Sequence, residues 1–116
     1  MNRAMLRTAI IVLTVATAFI HGVLLNLGMG TIDPAFTLNA LGYLALLAAL
    51  FFVRLPFLQG REALLHYALI GFTAVTIVAY FVINQSPFTD GLGLAAKADE
   101  VLLIVAVWLH LRASQS

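Results

Sequence analysis

The chain has 116 residues, of which 63% are hydrophobic and only 9% are charged, with 6 basic and 5 acidic side chains. Soluble domains carry about 25% charged residues, so this composition predicts an integral membrane protein. No basic stripe suggests nucleic-acid binding, and no cysteine is present to build a disulfide scaffold. Because too few polar residues remain for a region outside the bilayer, we expect one transmembrane domain over residues 1–116.

Four hydrophobic segments predict four transmembrane helices. Three of them lack charged residues over 25, 19 and 22 positions: Thr8–Ile32, Ala35–Val53 and Ala63–Asn84. A hydrocarbon core of about 30 Å needs about 20 helical residues, so each of the three can cross. The fourth has only 11 charge-free residues, Val101–Leu111, and reaches spanning length only by including the charged turn before them. The predicted spans are residues 7–28, 35–54, 62–84 and 94–112.

Short linkers with glycine and proline separate the segments, which predicts an all-α bundle with up-down-up-down topology. In the first linker, Asp33 is placed to cap a helix that Pro34 begins. In this topology Lys97 lies on one side of the membrane and the other basic residues lie on the opposite side. The positive-inside rule then makes both termini cytoplasmic, in a bacterial inner membrane. The basic residues on the cytoplasmic side are Arg3, Arg7, Arg54, Arg61 and Arg112.

The N-terminal segment also resembles a secretory signal peptide. Basic residues precede an apolar stretch, and Ala16, Thr17 and Ala18 resemble a cleavage site. However, the apolar stretch continues through Leu27, which is longer than the usual core of a signal peptide. We therefore favour a membrane span.

Polar side chains recur at similar depths in all four predicted helices. Counting 1.5 Å per residue from the flanking arginines places most of them at about 18–22 Å, and Tyr80 at about 28 Å. A charge at mid-membrane costs about 2.5–3.5 kcal/mol, so we expect these groups to face one another inside the bundle. Lys97 and Glu100 are at i,i+3 spacing and can pair, which leaves Asp99 to pair with His21. The predicted polar cluster consists of His21, Asn39, Tyr80, Lys97, Asp99 and Glu100.

An alternative interpretation is that Lys97, Asp99 and Glu100 form a solvated end of a short fourth helix in a thinned bilayer. Helical spacing favours the bundle interior, because polar or small residues line one face of each of the first three helices. Small residues let helix backbones approach closely in lipid. The predicted inward faces are Thr14, Thr17 and His21, then Asn39, Gly42, Ala45 and Ala49, then His66, Thr73, Thr76, Tyr80 and Asn84.

The candidate cofactor chemistry is limited. Two histidines on facing helices can hold haem b, and His66 and His110 are the candidate haem ligands, at a shallow depth. A divalent metal at His21, Asp99 and Glu100 is disfavoured because Lys97 adds a competing positive charge. The sequence contains no nucleophile–base pair, phosphate-binding loop or zinc motif. We therefore expect no enzymatic activity, no metal and no resident cofactor.

Three stretches carry a resemblance to known proteins: Phe36–Leu50, Ala68–Ile77 and Lys97–Val101. They look similar to a group of small four-span bacterial membrane proteins of uncharacterised function. The resemblance implies the four-span architecture and brings no activity with it.

Two functions from different classes follow from these observations. The favoured one is an accessory or assembly subunit of a larger membrane complex, for which a respiratory or photosynthetic complex is the bacterial analogy. The alternative is a small protein that binds a cofactor, a lipid or a quinone through the polar cluster, including a b-type haem carrier. In both cases the lipid bilayer is an expected partner and nucleic acid is not.

Overall fold

The computed structural model describes residues 2–24, 27, 30, 34–52, 62–83 and 91–115. Within this part of the chain all regular structure is helical, which confirms the expected all-α class. Helix α1 spans Arg3–Phe19, α2 Pro34–Leu47, α3 Glu62–Ile83 and α4 Gly91–Gln115. Helices α1 and α2 each continue directly as a π-helical turn, over Ile20–Leu24 and Ala48–Phe52.

Three helices are long and apolar enough to cross a membrane: Arg3–Leu24, Pro34–Phe52 and Glu62–Val82. The chain is therefore a helical membrane protein. Helix α1 begins at Arg3 rather than at residue 7, because the Asn2 side chain caps it by accepting a hydrogen bond from the Met5 amide at 2.8 Å. Helix α4 has 25 residues, about 37 Å of helix. It exceeds the predicted 94–112 by three residues at each end, beginning at Gly91 ahead of the charged turn and ending at Gln115.

Much of the predicted linkers lies outside the described residues. This applies to Asp33 as a helix cap, to Arg54 and Arg61 as boundary residues, and to Asn84 on the third inward face. In the first linker Gly30 is described, with φ +72° and its amide donating to the Leu27 carbonyl at 3.1 Å. This left-handed conformation favours glycine, which has no Cβ.

Each helix packs mainly against two others. Helix α4 contacts α1 and α3, and α2 contacts the same two helices. At one end of the bundle the Phe36 ring meets His21 edge-on, and at the other the Arg7 guanidinium lies over Phe51. The buried apolar core combines residues from all four helices: Ile10, Ala18, Ala40, Tyr43, Leu47, Leu69, Leu103, Ala106 and Val107.

The predicted inward face is correct for α1 and correct only in part for α2, where Asn39 and Gly42 face α3 but Ala45 does not face the bundle. Thr14, Thr17 and His21 are buried as expected. On α2, however, the buried residues are Ala40, Tyr43 and Leu47, and Ala45 is exposed. The buried Tyr43 phenol needs a hydrogen-bond partner, which it finds in Glu100 of α4. On α3 the buried members are His66 and Thr73, with Thr76 and Tyr80 half-buried.

Candidate functional site

A buried ion pair forms the centre of the candidate site. On α4, Lys97 Nζ donates to Glu100 Oε1, and both side chains are almost completely shielded, with exposed fractions of 6% and 0%. The other carboxylate oxygen, Oε2, accepts a hydrogen bond from the Tyr43 hydroxyl of α2 at 2.6 Å. Both oxygens of Glu100 are thus engaged inside the bundle. We call Tyr43, Lys97 and Glu100 the Glu100 network.

Helix α1 contributes His21 next to this network. His21 lies within the π-helical turn and is buried, close enough to Glu100 and Lys97 for their charges to act on it. Its Nδ1 donates to the Thr17 carbonyl oxygen at 2.9 Å and lies 3.3 Å from the Thr17 hydroxyl. This bond fixes Nδ1 as the protonated nitrogen, since a carbonyl can only accept. The imidazole is therefore oriented by its own helix.

Helix α3 joins the site through two contacts. The Asn39 amide nitrogen donates to the Thr76 hydroxyl at 2.8 Å, and that hydroxyl in turn donates to the Phe72 carbonyl at 2.9 Å. Lys97 Nζ lies 5.1 Å from the centre of the Tyr80 ring, at the distance of a cation–π contact. Asn39, Tyr80, Lys97, Glu100 and His21 thus contribute to one buried region shared by all four helices.

Asp99 behaves differently from the expectation. No hydrogen bond joins it to His21 in the described part of the chain, and its Oδ2 is buried without a partner. The histidine instead lies beside Glu100, because Glu100 and Asp99 point about 100° apart on the helix. The predicted Asp99–His21 pair is therefore wrong. Two further buried oxygens in the described residues lack a partner, Thr14 Oγ1 and Asn39 Oδ1.

His66 and His110 form a second polar contact. His66 lies near the start of α3 and His110 near the end of α4. His66 Nδ1 donates to the Glu62 carbonyl oxygen at 2.5 Å, and His66 Nε2 lies 2.8 Å from His110 Nδ1. The two rings are nearly parallel, at 16° and 5.0 Å between centres. A metal sits about 2 Å from each imidazole nitrogen, so two axial ligands need nitrogens about 4 Å apart. Both nitrogens of His66 are already used, and this arrangement does not fit an iron between the rings.

The described residues hold no group of three or more histidine, cysteine or carboxylate side chains placed to bind a metal ion. With Glu100 held by Lys97 and Tyr43, the site presents a neutralised ion pair rather than a free base. Such a network strongly stabilises one packing arrangement when every member is satisfied. The chemistry that remains open is hydrogen bonding to the unpartnered oxygens of Asn39 and Asp99.

Tyr43 is the site residue that sequence reasoning missed. Its distance from the predicted membrane boundary at Arg54 could have identified it. Tyr43 lies 11 residues before Arg54, about 16 Å along a helix, which is close to the level of Glu100. A tyrosine this far from the membrane interface needs a hydrogen-bond partner. The π-helical turn that carries His21 also had no signal in the sequence, although such turns are frequent at functional sites.

Comparisons with protein-family models, with curated proteins and with solved structures found no match to this chain. The resemblance carried by Phe36–Leu50, Ala68–Ile77 and Lys97–Val101 thus stays a prediction about architecture. Function has to be inferred from the geometry of the residues described above.

Proposed function

We propose that this membrane protein is non-enzymatic and acts as an accessory or assembly subunit, packing beside a transmembrane helix of a larger membrane complex. The observation that carries the proposal is the exposed face of α3 at Ala68 and Gly71, two small residues that are one helical turn apart. A Cβ atom built at Gly71 meets no heavy atom within 4 Å. The glycine therefore leaves space outside the bundle, where a neighbouring helix can approach.

Six of the exposed residues of α3 lie along one line of the helix, while Glu62, Tyr67 and Phe81 are exposed beside it. The six recur at alternating steps of four and three: Leu64, Ala68, Gly71, Val75, Val78 and Val82. This is the spacing by which one helix packs along another, and small residues at its centre let backbones come close in lipid. The polar atoms of the Glu100 network already bind one another, which supports a contact at the lipid-facing surface.

The test is Gly71→Leu in the full-length protein, in its native membrane. We expect the leucine to prevent close helix approach and to abolish crosslinking from a photoreactive residue at Val75 to a specific membrane protein. The stability of the purified protein stays unchanged, because Gly71 has open space around it. Ala45→Leu is the control, since Ala45 is also small and exposed but lies on α2. Crosslinking that survives Gly71→Leu, or that fails equally with Ala45→Leu, contradicts the proposal.

We further propose the up-down-up-down arrangement with α4 as a fourth span and both termini in the cytoplasm of a bacterium. The contact of His21 with Phe36 at one end and of Arg7 with Phe51 at the other supports opposite directions for α1 and α2. Burial of Lys97 and Glu100 supports a fourth span, because the charged turn of α4 is sheltered by its neighbours. The arginine distribution supports the orientation.

A second candidate function is the binding of a lipid or quinone headgroup. It is favoured by Asn39 Oδ1 and Asp99 Oδ2, two buried acceptors that lack a donor in the described residues and that a hydroxyl of a lipid headgroup or of a reduced quinone would satisfy. We expect purified protein to retain such a ligand, detected by extraction and mass spectrometry, and Asn39→Leu to lose it. A Soret band in the visible spectrum would instead indicate haem, and extracts identical for both proteins would contradict this function.

A further inference from the structure

A cationic groove lies at the end of the bundle away from the Glu100 network. It has a volume of about 460 Å³ and lies between the start of α1 and the end of α4. Arg3, Arg7 and His110 supply its basic groups, and Ala4 and Ile11 supply apolar lining. The groove therefore combines positive charge with apolar surface. We call it the Arg7 groove.

The two arginines of this groove have no acidic partner within the described residues. Among the described residues, neither Arg3 nor Arg7 forms an ion pair or donates a guanidinium hydrogen bond. Both side chains are exposed, and both lie close enough to His110 for their charges to act on it. Two cations on one helix face at i,i+4 spacing repel each other. A bound anion would relieve this repulsion.

The Arg7 guanidinium is held in place by aromatic rings. It lies 5.3 Å from the centre of Phe51 and 5.8 Å from that of Phe52, and both rings belong to the π-helical turn that follows α2. Phe51 also meets the His110 ring edge-on at 5.4 Å. Stacking on aromatic faces leaves the planar edge of a guanidinium available, and this edge matches two oxygens of a phosphate. The two rings thus lie beside the Arg7 guanidinium without using its hydrogen-bond donors.

We propose that the Arg7 groove binds the phosphate of an anionic phospholipid, with Arg7 and Arg3 as its ligands. The groove opens at the end of a membrane-spanning bundle, where phospholipid headgroups lie, and basic pockets between helices bind such headgroups. The apolar lining from Ala4 and Ile11 suits the glycerol and the start of an acyl chain, which a free phosphate ion lacks. This site is independent of the proposed packing face on α3.

The test measures thermal stabilisation of the full-length protein in nanodiscs of phosphatidylcholine with and without phosphatidylglycerol. We expect phosphatidylglycerol to stabilise the native protein. Arg7→Gln should require about tenfold more anionic lipid for the same effect, the scale of losing one charge-assisted contact. Arg112→Gln is the matched control, because it removes the same charge from an exposed arginine that does not line the groove. Arg7→Lys, which keeps the charge without the planar edge, should lose most of the preference.

Two further measurements decide the source of the anion. Inorganic phosphate added to phosphatidylcholine nanodiscs is expected to give no stabilisation. Stabilisation by inorganic phosphate that Arg7→Gln abolishes would overturn the lipid assignment and identify a free phosphate as the ligand. Equal losses in Arg7→Gln and Arg112→Gln would overturn the site itself, because the effect would then come from overall charge. Arg3→Gln provides a second variant, expected to weaken the lipid effect in the same direction.

Discussion

Replacing Glu100 with leucine is expected to destabilise the protein by about 3–5 kcal/mol, the effect of removing one partner from a buried ion pair. The substitution leaves the Lys97 ammonium without its anion and the Tyr43 hydroxyl without its acceptor, both in the bundle interior. Thermal unfolding of purified protein in one detergent measures the change, and expression yield follows it.

The control for this prediction is Glu62→Leu. Glu62 is exposed in the first turn of α3, so removing its charge is expected to change stability by less than about 1 kcal/mol. The double variant Lys97→Met with Glu100→Leu removes both charges, and replacing a buried pair by apolar residues is often neutral. We therefore expect the double variant to regain most of the lost stability. Equal losses of stability in Glu100→Leu and Glu62→Leu would contradict the burial of the Glu100 network.

Replacing Gly42 with leucine is expected to be the second most damaging change. A Cβ atom at Gly42 would lie 2.5 Å from Phe72 Cζ and 2.8 Å from Cε2. The Phe72 ring has little room to yield, because it also packs edge-on against the buried Tyr43 at 4.7 Å. Overpacking typically costs about 1–3 kcal/mol, and leucine adds three more carbons to the clashing Cβ. The expected result is a loss at or above the upper end of that range.

Gly71→Leu is the matched control for this second prediction. It introduces the same side chain at a glycine of the neighbouring helix where a Cβ meets nothing within 4 Å. Thermal unfolding of the two purified variants, side by side, separates steric conflict inside the bundle from the intrinsic effect of replacing a helical glycine. Similar unfolding temperatures would contradict the close contact between α2 and the Phe72 ring.

The spans were predictable because hydrophobicity and charge act over whole segments. A charge-free stretch long enough to cross lipid has few alternatives, and the helices at Pro34–Leu47 and Glu62–Ile83 begin within one residue of their predicted starts. Burial of Glu100 also followed from the segment, since the fourth helix is too short to cross without its charged turn. The position of a residue along the helix axis can therefore be predicted from the sequence.

Rotation about that axis was less predictable. The small-residue pattern of α2 predicted an inward face through Asn39, Gly42 and Ala45. Asn39 and Gly42 do face α3, but Ala45 is exposed and Tyr43 is buried instead. Tyr43 is buried with a hydrogen bond to Glu100, a partner 57 residues away that the small-residue pattern does not indicate. The partner of His21 was also not predictable, since Glu100 rather than Asp99 lies beside it. Such choices depend on long-range partners, which no local pattern encodes.

The sharing of the Glu100 network between α2 and α4 has a consequence for biosynthesis. The turn of α4 that carries Lys97 and Glu100 finds its shelter in residues synthesised earlier, among them Tyr43 and His21. With α4 as the proposed fourth span, we expect it to leave the translocon only after the first three helices have assembled. A nascent chain that lacks the Tyr43 hydroxyl would then present an unsheltered charged turn to the membrane. That turn would mark it for proteolytic quality control.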